Sequence, residues 1–96
     1  LCKRLKQTPE PGGEGTMFDH TVIVWVNELG KGNNHTLNNI PFTIIGGGLD
    51  VKMGRALQMP DVTHNRLLMT IANAFDHELK SFGEEKLSVG GALDLS

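Results

Sequence analysis

This sequence is short of cysteine, of net charge and of long apolar runs, and each shortage excludes something. One cysteine, Cys2, stands among 96 residues, so neither an internal disulfide framework nor a thiolate metal cluster can form. No histidine lies near it in sequence, which favours a buried or incidental thiol over a nucleophile. The formal net charge is -2, which argues against a general binder of polyanions, and nucleic acid is not an expected partner. The basic start, Lys3, Arg4 and Lys6, is brief and marks a solvated helix face. No stretch is long and apolar enough to span a bilayer, and no signal peptide is recognisable. Internal repeats are absent, and so are a Gly-x-Ser-x-Gly elbow and a His-Glu-x-x-His pair. No nucleophile with an adjacent base can be identified, so no catalytic residue is assigned.

What is present reads as alternating breakers and β-branched runs. Residues 1–8 resemble the last turns of a helix. Pro9, Pro11, Gly12, Gly13 and Gly15 then make residues 9–20 a loop. The run Thr21-Val22-Ile23-Val24-Trp25-Val26 lacks the in–out alternation of a half-exposed strand, which predicts a strand covered on both faces. A polar loop follows, and then a second apolar run, Ile40 to Ile45, with Pro41 tolerable at its start. Residues 51–59 suggest a short strand or hairpin around Gly54, completing a strand-loop-strand and hairpin region over 21–62. Leu67, Leu68, Ile71, Ala72 and Phe75 recur at helical spacing after the candidate N-cap Thr63, predicting a helix over 63–80. Residues 81–96 form a loop-like tail. Gly46-Gly47-Gly48 lacks the lysine and the following helix of a phosphate loop; a turn with close backbone packing is the expectation there.

Chemistry-bearing residues concentrate in the loop after the first apolar run. It holds Glu28, Lys31, His35 and several asparagines, with glycines that permit tight turns. Carboxylate oxygen and imidazole nitrogen both suit zinc or manganese, so Glu28 and His35 are candidate metal ligands. Lys31, Asn33 and Asn34 are candidates for orienting an anionic substrate. The plain alternative is a solvated surface loop, since asparagine and glycine are the usual turn residues. Asp19-His20 enters the strand rather than leaving it, about 20 Å from Glu28 if the run is extended. His64 and His77 lie about 20 Å apart along a helix and are no ligand pair. His64 reads as a capping or packing residue, His77 as a solvated one. Asn34-His35-Thr36 matches a glycosylation acceptor, which matters only in a eukaryotic secretory setting.

The run "TVIVWVNELGKGNNHTLNNIPFTIIGGG", followed by "KMGRALQ" and "HNRLLMTIANAF", resembles an uncharacterised bacterial family, domain of unknown function fifteen fifty-two. The resemblance covers roughly residues 14–96, and its signature is Glu28-Leu29-Gly30-Lys31-Gly32-Asn33 with His35. It implies a secreted or cell-envelope (periplasmic) protein of several hundred residues, of which this chain would be the C-terminal portion. A more distant similarity is to the alkaline phosphatase superfamily, which includes the sulfatases and cofactor-independent phosphoglycerate mutases. In the mutases a metal-binding histidine sits in a His-Thr-x-Asn-x-x-Pro-Phe context. His35-Thr36-Leu37-Asn38-Asn39-Ile40-Pro41-Phe42 has the same arrangement. Those enzymes place Asp-His at the end of the preceding strand, where this chain has Asn27-Glu28.

The resulting expectation is an α/β fold, the C-terminal fragment of an alkaline-phosphatase-like, mostly parallel sheet with flanking helices. Two strands covered on both faces need helices on each side, and the remainder of the domain upstream would supply them. The implied function is a metal-dependent phosphate or sulfate ester hydrolase to which this chain contributes His35 and Glu28. Its divalent ion would be zinc, manganese or calcium, and its substrate an anionic ester. The alternative is a non-catalytic binding or structural relative of that superfamily.

Overall fold

In the computed structural model, which describes all residues from Leu1 to Ser96, the two β-branched runs do form the strands. Strand β1 is Ile23–Val26 and strand β2 is Phe42–Ile45. They pair with each other in antiparallel register, Ile23 opposite Ile45 and Val26 opposite Phe42, and make a two-stranded sheet. This overturns the mostly parallel sheet with flanking helices. A parallel return needs a crossover of a dozen or more residues, usually built around a helix. Residues 27–41 contain no helix. They fold back on themselves instead, with the Gly30 amide donating to the Thr36 carbonyl (2.8 Å) and the Thr36 amide to that of Lys31 (3.3 Å). The chain therefore re-enters the sheet beside β1 and in the opposite direction.

The chain divides into two units, Leu1–Leu49 and Asp50–Ser96. In the first, helix α1 (Cys2–Lys6) is followed by a narrow loop closed by a bridge between Pro9 and Thr16. A 3-10 turn, Met17–His20, comes next. Its Asp19 carboxylate accepts from both the amide (2.7 Å) and the hydroxyl (2.9 Å) of Thr16. Satisfying free amides at the start of a helical turn in this way is what short polar side chains do there. Lys6 reaches over the Phe18 ring, 4.6 Å from its centroid, and ties α1 to this turn. The three glycines after β2 close the unit. At Gly46, φ is 115° and a Cβ would lie 2.0 Å from the Thr21 carbonyl oxygen. Only glycine permits both that dihedral and that approach. The Gly47 amide then donates to the Phe18 carbonyl at 3.0 Å.

The second unit is organised by helix α2, His64–Ala74, shorter than the expected 63–80. It stops where Asp76 takes φ 61° and the Asn73 side chain accepts the Leu79 amide at 2.8 Å. The buried residues on α2 are Met69, 1% exposed, and Asn65, while Phe75 at the helix end is exposed. Around them the tail is held by hydrogen bonds. Asn65 donates to the Phe82 carbonyl and Arg66 to those of Gly91 and Gly90. Thr63 donates to the Leu87 carbonyl, and the Thr70 hydroxyl accepts the Leu93 amide. The hairpin expected around Gly54 does not form. Residues 50–60 carry no strand, and they are pinned to the tail by Arg55 and by the Lys52 amide, both donating to the Leu95 carbonyl. The tail itself contains a 3-10 turn, Glu85–Leu87.

Candidate functional site

The loop that follows β1 is a preformed turn. Besides the Gly30–Thr36 and Lys31–Thr36 backbone bonds, the Lys31 amide donates to the Thr36 hydroxyl at 2.9 Å. Gly30 is obligatory, because a Cβ there would come within 1.9 Å of the Asn38 carbonyl oxygen. The turn so closed presents Gly32, Asn33, Asn34 and His35 at its tip, and His35 adopts φ 51°. Histidine is one of the few residues enriched in that left-handed region.

Glu28, Lys31, Asn33, Asn34 and His35 are all exposed, and none of their side chains is engaged in a hydrogen bond or ion pair within the chain. They are thus available to a ligand. A metal centre is a stricter requirement. Catalytic zinc takes three protein ligands, and no group of three histidine, cysteine, aspartate or glutamate side chains converges in this chain. Glu28 and His35 offer donor atoms of the right kind without completing a shell. Asp19 and His20 are occupied elsewhere: Asp19 with Thr16, and the His20 Nε2 with the Glu14 carbonyl at 2.9 Å. The two bonds from Thr16, amide first and hydroxyl second, hold the Asp19 carboxyl below its ordinary value.

The other unusual surface lies on the sheet, where the sequence predicted burial. Trp25 is 74% exposed and Val24 and Val26 are exposed beside it. A shallow apolar groove of about 550 Å³ runs along β1, lined by Leu1, Cys2, Ile23, Val24 and Ile45 among others. A smaller depression of about 260 Å³ lies at Trp25, Val26, Asn27, Pro41 and Thr43. In a two-stranded sheet both strands are edges. The Asn27 amide donates to the Pro41 carbonyl, so residues 23, 25 and 27 turn their backbone groups toward β2. By the alternation of an antiparallel ladder, Val24 and Val26 turn theirs to the open edge. Natural edges are blunted by lysine, proline or a bulge, and β1 has none of them. Sequence reasoning missed this surface. An uncharged β-branched run looks the same whether a partner covers it or not.

No helix in the chain is long and apolar enough to cross a membrane. Comparison with protein-family models, with curated proteins and with solved structures returned no match.

Proposed function

We propose that the chain is a non-catalytic docking element whose working surface is the open edge and exposed face of β1. The observation that carries this is Trp25, the one tryptophan in the sequence, 74% exposed in the middle of an uncharged edge strand. Exposing an aromatic ring and its apolar neighbours forgoes about 25 cal/mol for every Å² left in water.

The test is saturable binding of an apolar fluorescent dye to the 96-residue chain at high dilution, compared with Trp25→Lys. Binding to the wild type and a loss of about tenfold or more in the variant is the expected result. A wild type that leaves the dye dark would refute the reading.

A second reading is favoured by the rigid closure of the turn behind His35 and by its His-Thr-x-Asn-x-x-Pro-Phe setting. In it, His35 and Glu28 are two ligands of a divalent-metal site whose other ligands come from outside this chain, in a phosphate or sulfate ester hydrolase. Lys31, Asn33 and Asn34 would face the anionic ester. Elemental analysis after zinc, manganese or calcium loading decides it. Metal retained by the wild type and lost in His35→Ala supports it, and equal retention by both removes it.

A further inference from the structure

The longest uninterrupted run of exposed residues is 52–61, which leads into α2 and contains neither helix nor strand. We propose that it holds a processing site, the Leu57–Gln58 peptide bond, cut by an endopeptidase whose pocket accepts an apolar side chain. Such enzymes work on backbone that can be drawn out against them, so nicking concentrates where main chain is exposed and free of internal bonds. Both conditions hold here. The run is anchored at one end, where the Lys52 amide and the Arg55 guanidinium donate to the Leu95 carbonyl. At the other end α2 begins at His64. Between these anchors Ala56, Leu57 and Gln58 make no hydrogen bond within the chain, by main chain or side chain.

Side chains decide which bond is taken. Leu57 is 53% exposed, and Ala56, Gln58 and Met59 beside it carry no charge. A hydrophobic slot such as that of chymotrypsin takes a side chain of this kind. Arg55, which would draw an enzyme of basic specificity, is held by the Lys52 and Leu95 carbonyls. Met59 is followed by Pro60, whose ring crowds the position of the leaving amine. Other exposed apolar residues have their main chain engaged. Trp25 pairs with Thr43 in the sheet, the Phe75 amide donates to the Ala72 carbonyl, and the Phe82 amide to the Ser88 hydroxyl. Leu37 follows the bonded Thr36 and precedes Asn39 at φ 53°, so the backbone there turns instead of extending. Hydrolysis adds one water across the Leu57–Gln58 amide. The Leu57 carbonyl carbon takes its oxygen and becomes a carboxylate, and the Gln58 nitrogen takes its two protons and leaves as an ammonium group. No hydrogen bond of the folded chain is broken by this step. β1 remains on residues 1–57, and α2 and the tail on 58–96.

The experiment is digestion of the folded 96-residue chain by chymotrypsin at low enzyme ratio, with the fragments identified by mass spectrometry over time. The expected first products are residues 1–57 and 58–96, although the aromatic side chains fit that pocket better. The same chain in urea is expected to be cut at Trp25, Phe75 and Phe82 instead, since the preference for Leu57 belongs to the fold. Leu57→Asp takes the apolar side chain from the pocket and is expected to slow the first cut by about tenfold or more. Leu37→Asp, at a residue 78% exposed, is expected to leave it unchanged, and circular dichroism of both variants verifies folding. A first cut of the folded chain at any bond other than Leu57–Gln58 overturns the proposal. So does a folded chain that resists the enzyme while the chain in urea is cut, or a rate that Leu57→Asp does not change.

Discussion

Replacing Met69 by alanine tests whether the second unit has the core described for it. Met69 is the one large side chain wholly withdrawn from solvent, and it sits on α2 between Asn65 and the residues that hold the tail. Truncating a buried methionine costs about 2–5 kcal/mol, the spread depending on how far the surroundings collapse into the void. Here the neighbours Leu68, Thr70 and Ala72 are half-buried rather than sealed, so relaxation is easy and the low end, about 2–3 kcal/mol, applies. Asp50–Ser96, at the ordinary stability per residue, holds about 2–7 kcal/mol in all. The variant should therefore lose from about a third to all of the stability of this unit. The assay is urea unfolding followed by far-ultraviolet circular dichroism, in which α2 is the main helical contributor. With a slope of about 1 kcal/mol per molar, the midpoint falls by about 2 M. The NMR amide resonances of β1 in the same samples report the first unit, which contains no part of this core. A dichroism midpoint within about 0.5 M of wild type would show that Met69 is not what holds the second unit together.

Two further outcomes concern the first unit. Asp19 titrates below its ordinary value because Thr16 bonds its ionised form. Its stabilising effect is thus present above the unfolded-state value and is lost as pH falls through the lower folded one. The carboxyl resonance of Asp19, followed by NMR, should titrate below that of an unperturbed aspartate and move upward in Thr16→Val; an unmoved midpoint refutes the assignment. Gly46→Ala meets the Thr21 carbonyl at 2.0 Å and a φ of 115°, and should cost more than about 1 kcal/mol. A urea midpoint equal to that of wild type, followed by the NMR amide resonances of β1, would show that the glycine turn tolerates a side chain.

Local patterns in the sequence located the elements, and non-local partners decided what they became. β-branched runs marked both strands, but β propensity describes a residue that fits a pleated surface, not the direction of its neighbour. The direction was set by the Lys31–Thr36 closure, which rests on one threonine hydroxyl and one glycine. In sequence those two look like any polar loop. The helix was visible in the spacing of Leu67, Leu68 and Ile71, yet its most buried positions are Met69 and Asn65. Asn65 is buried because the Phe82 carbonyl takes its amide, a contact across 17 positions that no local pattern encodes. For the candidate loop, composition singled out Glu28, Lys31, Asn33, Asn34 and His35, and the structure leaves all five exposed. That the loop holds only two potential metal ligands was already legible in its residues; that the adjacent strand would stand open was not.

The way α2 grips the tail makes the second unit unequal in its tolerance of change. Thr63, Asn65, Arg66 and Thr70 reach across to carbonyls and an amide of residues 82, 87, 90, 91 and 93. Every one of those bonds ends on main chain, which is common to all amino acids. The helix thus reads the path of the tail and not its spelling. Drift at Phe82, Leu87 and Leu93 is cheap wherever the backbone can keep its course, whereas Gly90 and Gly91, at φ 93° and 68°, and Ser88, whose hydroxyl bonds the Phe82 main chain, are constrained in their own right. At Phe82, Leu87 and Leu93, depletion in a saturation library would map to the α2 side of each bond, so that a contact seen in space leaves only half its signature in sequence.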